Sequence, residues 1–361
     1  MNQRIQTIVI GGGQAGLSVG YHLAKRGIPF LILDANQRIG DAWRKRWDSL
    51  RLFTPARYAG LPGFPFPASG ASFPTKEEMA SYLESYAERF HLPVRTGVKV
   101  DCVSKRRDGF LVSAGGQSFE AEQVVVAMSD YQTPRVPAFS SELDPGIRQL
   151  HSHHYRNPLQ LQKGGALVVG MGNSGADIAI EVVRTHPTWI SGKESGFIPL
   201  PIESFVWRYV LVRALRFFGH YILSMATPIG RKLRPKLLSR PAPLVRVKPQ
   251  NLIEAGVERV PRVVGVRNGK PLLADGRVLD VRNVIWCTGY HPGFSWIDLP
   301  IFEEHGRPMH ERGVVTQAPG MYFVGLHYLY SMTSATVIGV GRDAERIATA
   351  IELRTREARA A

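Results

Sequence analysis

Cysteine is almost missing from this chain: its 361 residues include two, Cys102 and Cys287, far apart and in no CxxC or CxxxxC pair. That spacing excludes a redox-active dithiol and argues against a disulfide framework. Each thiol is expected to pack as a small apolar filler. Long apolar runs are also missing. No window reaches the ~18 uncharged apolar residues that a membrane span requires, and the apolar stretch from Ile5 to Val19 is broken by three consecutive glycines. It reads as a strand and turn rather than an export signal, so a soluble, cytoplasmic protein is expected. There is no repeat period and no low-complexity tract. Acid is scarce beside base, 30 Asp and Glu against 45 Lys and Arg for a formal charge of +15. This admits anionic partners. With no nucleic-acid-binding module in the chain, nucleic acid is not expected among them.

Glycine, by contrast, is concentrated where it carries chemistry. In "TIVIGGGQAG" a β-rich run leads into Gly11, Gly13 and Gly16 at GxGxxG spacing, followed by good helix formers. Gly11 suits the tight turn, Gly13 the close approach of a diphosphate, and Gly16 the packing of helix on strand. Gln14 and Ala15 complete this candidate cradle, with the helix N-terminus facing the phosphate charge. The next strand, "PFLILD", ends at Asp34, where a ribose-binding acid is expected. The pattern recurs in "GALVVGMGNSGADIAIE", with Gly170, Gly172, Asn173, Ser174 and Gly175 as the second cradle. There the following strand, "TWIS", ends in Gly192, Lys193 and Glu194. A cation at that point suits a 2′-phosphate, so the two loops look specialised for different dinucleotides, between which a hydride can pass. NADPH is expected to be preferred modestly over NADH, which stays acceptable, because lysine is a point charge and Glu194 offsets part of its attraction.

The chain resembles the flavin-containing monooxygenases and the wider class B flavoprotein monooxygenases. The resemblance is carried by "GGGQAG", "IGDAWRKRWDSLRLFTP", "TPRVPAF", "GMGNSGAD", "WCTGY" and "GMYFVGL". It implies FAD in the first loop and NADPH in the second. It also implies a reduced flavin that captures O2 as a C4a-hydroperoxide and oxygenates a soft nucleophile. Trp43 would then continue the FAD contacts, and Gly325 would lie near the flavin, with a helix beginning near Ser334 aimed at its N1/O2 edge. The family's fingerprint is incomplete: His151, Tyr155 and Arg156 fit, but Pro145 and Ile147 stand where Phe and Gly belong. No catalytic residue is assigned.

The expected fold is α/β, with two Rossmann-like dinucleotide-binding domains, each carrying a small β-meander. Residues 1–160 and 290–361 would form a discontinuous FAD domain around an NAD(P)H domain of 161–289, entered through the proline-spaced "YQTPRVPAF" and left through "CTGYHPG". A basic amphipathic helical insertion is expected at 203–240. On a helical wheel of 206–226, Arg208, Arg213, Arg216 and His220 fall on one side and Leu211, Leu215, Phe218, Ile222 and Met225 on the other. Two roles stay open for it, a lid over the active site and a contact with anionic membrane at the inner face of the plasma membrane. "HSHHY" at 151–155 invites a metal reading, but no cysteine or carboxylate accompanies it, and no metal is expected. The function expected is oxygenation of a small molecule at nitrogen or sulfur, or beside a carbonyl as in a Baeyer-Villiger reaction, with O2 as co-substrate. The rival is a non-oxygenating NAD(P)H-flavin redox regulator of a membrane partner. A homodimer is plausible from the sequence.

Overall fold

The computed structural model describes residues 3–193, 195–239, 242–304 and 306–360. The chain opens with β1 (Gln3–Ile10), whose first half is open to solvent and whose last four residues are buried. It continues through α1 (Gln14–Lys25) and β2 (Phe30–Leu33), a compact βαβ unit. A single helical turn, α2 (Asp41–Arg44), and a long excursion lead to α3 (Lys76–Arg89). The start of α3 is fixed by its sequence: the Thr75 hydroxyl accepts from the Glu78 N–H, and the Glu78 carboxylate accepts from the Thr75 N–H. This reciprocal cap satisfies two donors that a helix end otherwise leaves open. After β3 (Val94–Arg95) come β4 (Cys102–Arg106), β5 (Gly109–Ala114) and β6 (Gln117–Val126), the expected meander. The first half of β6 pairs antiparallel with β5 while the whole strand runs parallel to β1, so one strand joins meander and Rossmann sheet.

The chain leaves the first unit through β7 (Thr133–Pro134). β8 (Arg148–His151), β9 (Ala166–Val169), α4 (Asn173–Val182) and β10 (Thr188–Ser191) begin the second. The insertion follows. It is continuously helical over 206–222, with π-helical turns at 206–211 and 218–222 around α5 (Val212–Phe217), and then α6 (Pro228–Leu238). α7 (Pro249–Glu254) and β11 (Glu258–Val260) resume the α/β alternation. A hairpin of β12 (Val263–Arg267) and β13 (Lys270–Leu273) turns at "NG", and β14 (Asn283–Trp286) completes a parallel sheet in the order β11-β10-β9-β14-β8. Residues 148–151, which the sequence reading put before a seam at 160, lie in this second sheet because β8 pairs with β14. The second meander is smaller than expected: its outer strands join the parallel sheet, leaving only the β12-β13 hairpin.

β15 (Tyr290–His291) returns antiparallel to β7, so the outgoing and incoming connectors run side by side. β16 (Ile297–Asp298) and β17 (Met321–Phe323) rejoin the first sheet, of order β16-β4-β5-β6-β1-β2-β3 with β17 against the end of β6. α8 (Val340–Ala360) then covers the same face as α1 and α3, over a core of Val9, Leu17, Tyr82, Tyr86 and Ile347. The helix expected near Ser334 begins at Val340 instead. Residues 331–339 form successive turns, in which the Ser334 hydroxyl accepts from the Tyr330 and Ser331 N–H groups. A serine bonded to local backbone offers the chain an alternative to helix.

Candidate functional site: two glycine cradles and the junction between them

Both glycine loops sit at the carboxyl ends of parallel strands, where open α/β sheets bind their ligands. Their geometries match in detail. Gly11 has φ +111° and Gly170 φ +120°, conformations that favour glycine. The Gly11 N–H donates to Leu33 O at 2.8 Å, and the Gly170 N–H to Ser191 O at 2.7 Å. A Cβ on Gly16 would lie 1.8 Å from Gly11 O, and one on Gly175 would lie 1.8 Å from Gly170 O, so helix and turn approach too closely for any side chain. Gly13 and Gly172 differ from these: a Cβ on either would have no atom within 4 Å. Their lack of a side chain is not required by the protein's own packing. It keeps clear a space in front of each helix N-terminus, where neither α1 nor α4 has an acid in its first turn to cancel the helix dipole. That combination fits a diphosphate in each loop.

The remaining first-loop residues gather around this space. Gln14 begins α1 and donates through Nε2 to Ala335 O, and Ala15 is buried against Gly325, whose φ is +84° and whose added Cβ would come 2.9 Å from that of Ala15. Gly325 therefore rests on the first cradle. Gly11 abuts Ala127, just past β6, so three strand ends converge there. Asp34 directly follows β2, but its Oδ2 accepts the Gly12 N–H at 2.6 Å and its Oδ1 accepts from Asn36 N and Nδ2. Its carboxylate is thus part of the loop's own framework; Oδ1 accepts two bonds from Asn36 and only Oδ2 keeps a second lone pair for a ribose hydroxyl. Trp43 is half-buried against the first core. Trp47 leaves the first unit altogether and sits 7% exposed in the core of the second, beside Tyr155 and Met171.

In the second cradle, Ser174 lies in the first turn of α4. The Asn173 side chain does not face a ligand: its Nδ2 donates to Pro243 O and its Oδ1 accepts from Val245 N, each at 2.9 Å. It pins the chain returning from the insertion, so what Asn173 offers a phosphate is its backbone N–H. Lys193 is exposed just after Gly192, whose φ is +158°, and Glu194 lies outside the described residues. Sequence reasoning missed two neighbours. Arg259 and Arg262, at the end of β11, line with Gly192 a crevice of about 380 Å3 beside the end of β10. They lie about 70 residues further along, and only the β10-β11 pairing brings them there.

Between the cradles lies a polar and aromatic junction. Arg46 donates to the Tyr290 hydroxyl at 3.0 Å, and the Tyr290 ring meets those of Tyr131, His151 and His153 edge-on. Tyr131 hydrogen-bonds His327, which faces Asp130. His151 is 4% exposed; its Nε2 lies 3.0 Å from Gly289 O and its Nδ1 accepts from His153 N, while burial lowers its pKa to about 4. Both ring nitrogens are engaged by backbone, at Gly289 and His153, which fixes the ring's orientation. Cys287 adjoins Gly170, and burial pushes its thiol up to about 12. A thiol so held is protonated at neutral pH and is no redox nucleophile. The insertion is hydrogen-bonded to the 330–333 segment: Met225 N donates to Tyr330 O, Met332 N to Leu223 O, and His220 Nδ1 bonds the Thr333 hydroxyl.

Comparison with known proteins agrees with these features. The family model for the pyridine nucleotide-disulphide oxidoreductases matches residues 8–190. An uncharacterized CzcO-like oxidoreductase of Geobacillus kaustophilus is 38% identical over 96% of this chain and 97% of its own. A probable indole-3-pyruvate monooxygenase, YUCCA3 of Arabidopsis thaliana, is 29% identical over 97% and 87% respectively. The solved flavin-containing monooxygenase of Stenotrophomonas maltophilia aligns with a TM-score of 0.78 at 29% identity, covering 98% of this chain and 99% of that one. With two open glycine cradles in one chain and two lone cysteines, the chain belongs to the pyridine nucleotide-disulphide oxidoreductase family and, within it, to the flavin-dependent monooxygenases.

Proposed function

We propose that this monooxygenase holds FAD in its first loop, draws its electrons from NADPH in preference to NADH, and oxygenates a small molecule at a nucleophilic nitrogen or sulfur or beside a carbonyl. The observation that carries this reading is the paired open space at Gly13 and Gly172, each in front of an uncancelled helix N-terminus. Two dinucleotides need two such sites. The N–H groups at the start of α1 would hold the FAD diphosphate and Asp34 its ribose; those of Asn173 and Ser174 would hold that of the nicotinamide cofactor. When bound, the flavin supplies hydride acceptance and reaction with O2. The chain's own residues orient the two cofactors, and the insertion covers the 330–333 segment near the first cradle. Two lone cysteines leave the chain without a dithiol relay of its own. A non-oxygenating regulator is less favoured, because the likeness to monooxygenases spans the whole chain.

The coenzyme preference rests on Lys193, Arg259 and Arg262 around the end of β10. Guanidinium groups match a phosphate's geometry better than an ammonium does. NADPH should therefore be preferred by on the order of tenfold or more. Initial rates of NADPH and NADH oxidation, run with amines, thioethers and ketones while products are screened for one added oxygen, test both claims. Arg262→Ala should raise the KM for NADPH and leave that for NADH nearly unchanged, more so than Lys193→Ala. Equal losses with both coenzymes would overturn the 2′-phosphate assignment, and coenzyme oxidation with no oxygenated product in any class would overturn the oxygenase reading.

A further inference from the structure

The helical insertion is apolar on its inner side and carries apolar and cationic residues together on its outer side. Its inner side packs Trp207 and Val212 with Ile202, Tyr58 and Ile338, and buries His220, a residue of the side read as basic. Its outer side exposes Phe205, Val206, Val210, Phe217, Phe218 and Tyr221, each between 46% and 71% accessible, and Ile229 on α6 is 55% accessible. The π-helical turns at 206–211 and 218–222 widen the turn, so side chains there depart from the wheel on which the sequence pattern was drawn. An apolar patch of this size on an isolated chain marks an interaction surface.

Charge decides the partner. From Ser204 to Ile253 the sequence contains no aspartate or glutamate. Arg213, Arg216, Arg231, Lys232 and Lys236 are exposed among the apolar residues. A second copy meeting this face about a twofold axis would set the same acid-free cationic surface against itself. An anionic bilayer supplies both complements, phosphate for the cations and acyl chains for the aromatics. No described helix is long and apolar enough to cross a membrane, so the contact lies along the interface.

We propose that residues 205–237 dock the protein on an anionic phospholipid bilayer, with Phe217, Phe218 and Tyr221 entering the interfacial layer and the exposed arginines and lysines contacting headgroup phosphates. The inner side of the same segment bonds to Tyr330, Met332 and Thr333, in the stretch that begins at Gly325 on the first cradle. Docking thus sets the cover of the cofactor site at the bilayer surface, where apolar small molecules concentrate.

Sedimentation of the full-length protein with vesicles tests this. Vesicles of phosphatidylcholine and phosphatidylglycerol should bind it at least about tenfold more tightly than phosphatidylcholine alone, and raised salt should release it. Phe217→Ser with Phe218→Ser, and separately Arg213→Ala with Lys232→Ala, should each retain the parent's circular dichroism and lose vesicle binding, the second pair by on the order of twentyfold. Binding indifferent to lipid charge, or none, would overturn the proposal. So would a concentration-dependent dimer that the Phe217→Ser, Phe218→Ser protein no longer forms, for it would give this face to a second copy.

Discussion

Gly13 and Gly16 stand three residues apart, and replacing them should fail in different ways. Gly16 is required by the fold, since its Cβ would overlap Gly11 O. Gly13 has φ −81° and ψ −170°, ordinary extended backbone, and open space in front of it. Gly13→Val should therefore fold with the parent's circular dichroism and purify colourless, while Gly16→Val should not accumulate as folded protein. A yellow Gly13→Val protein with full flavin absorbance would show that the diphosphate lies elsewhere. The roles of the glycines were legible in the sequence because spacing alone dictates which must turn, approach or pack. Asp34 and Asn173 were less legible. Position puts both beside the glycine loops, but a carboxylate or amide side chain bonds whatever backbone the tertiary structure brings, here Gly12 for one and the 243–245 segment for the other.

Among elements, α4 carries a contact that no local pattern announces. Asp177 is 2% exposed and pairs with Arg246 at 2.9 Å, and burial raises its pKa to about 6. Arg246 also reaches Ser49 O, and Ser49 donates to Glu181, so the segment after α2 is tied to the second unit. Removing one partner of such a pair strands a buried charge. Arg246→Ala should destabilise the protein by roughly 3 kcal/mol, while Asp177→Asn with Arg246→Met should recover much of that loss. Urea unfolding of the two proteins checks this, and equal stabilities would show that the pair carries no such penalty. Strands, the meander after β3 and the C-terminal helix were readable because hydrophobic period and turn residues act locally. The insertion's orientation was not, because hydrophobic pattern names an apolar side without saying whether protein or another phase covers it. The start of α8 was displaced for a local reason, the Ser334 turn that competes with helix.

At the scale of the molecule, acid should loosen this protein. Burial holds His22, His151, His220 and His310 each down to about 4. A histidine whose folded pKa is depressed contributes stability that is present above its unfolded value of about 6.5 and lost as pH falls toward 4. Asp177 and Asp343, raised to about 6, act the other way, since protonation between 6 and 4 favours their folded state. The histidines begin to lose their contribution at higher pH and outnumber the acids. Calorimetry should therefore find a lower Tm at pH 5 than at pH 7, and a flat or rising Tm would contradict the burial of these rings. Two nucleotide-binding units could be read from two glycine loops. Their seam could not, because proline linkers mark a region, while β8 crosses into the second sheet through pairing with a strand more than a hundred residues away.

The pairing of β7 with β15 has a mechanical consequence. The chain passes between the units twice, and both passages lie along one short two-stranded ribbon. A ribbon resists stretching and shear through its ladder but twists easily about its long axis. A rotation of the second unit about this ribbon would have to break the other ties between the units, Arg246 to Ser49 O and the Asp48 N–H to Arg156 O among them. Trp47, seated in the second unit's core on a segment that begins in the first, is a further tie. Parting the two cradles would expose that indole, so any such opening carries the cost of unburying a tryptophan.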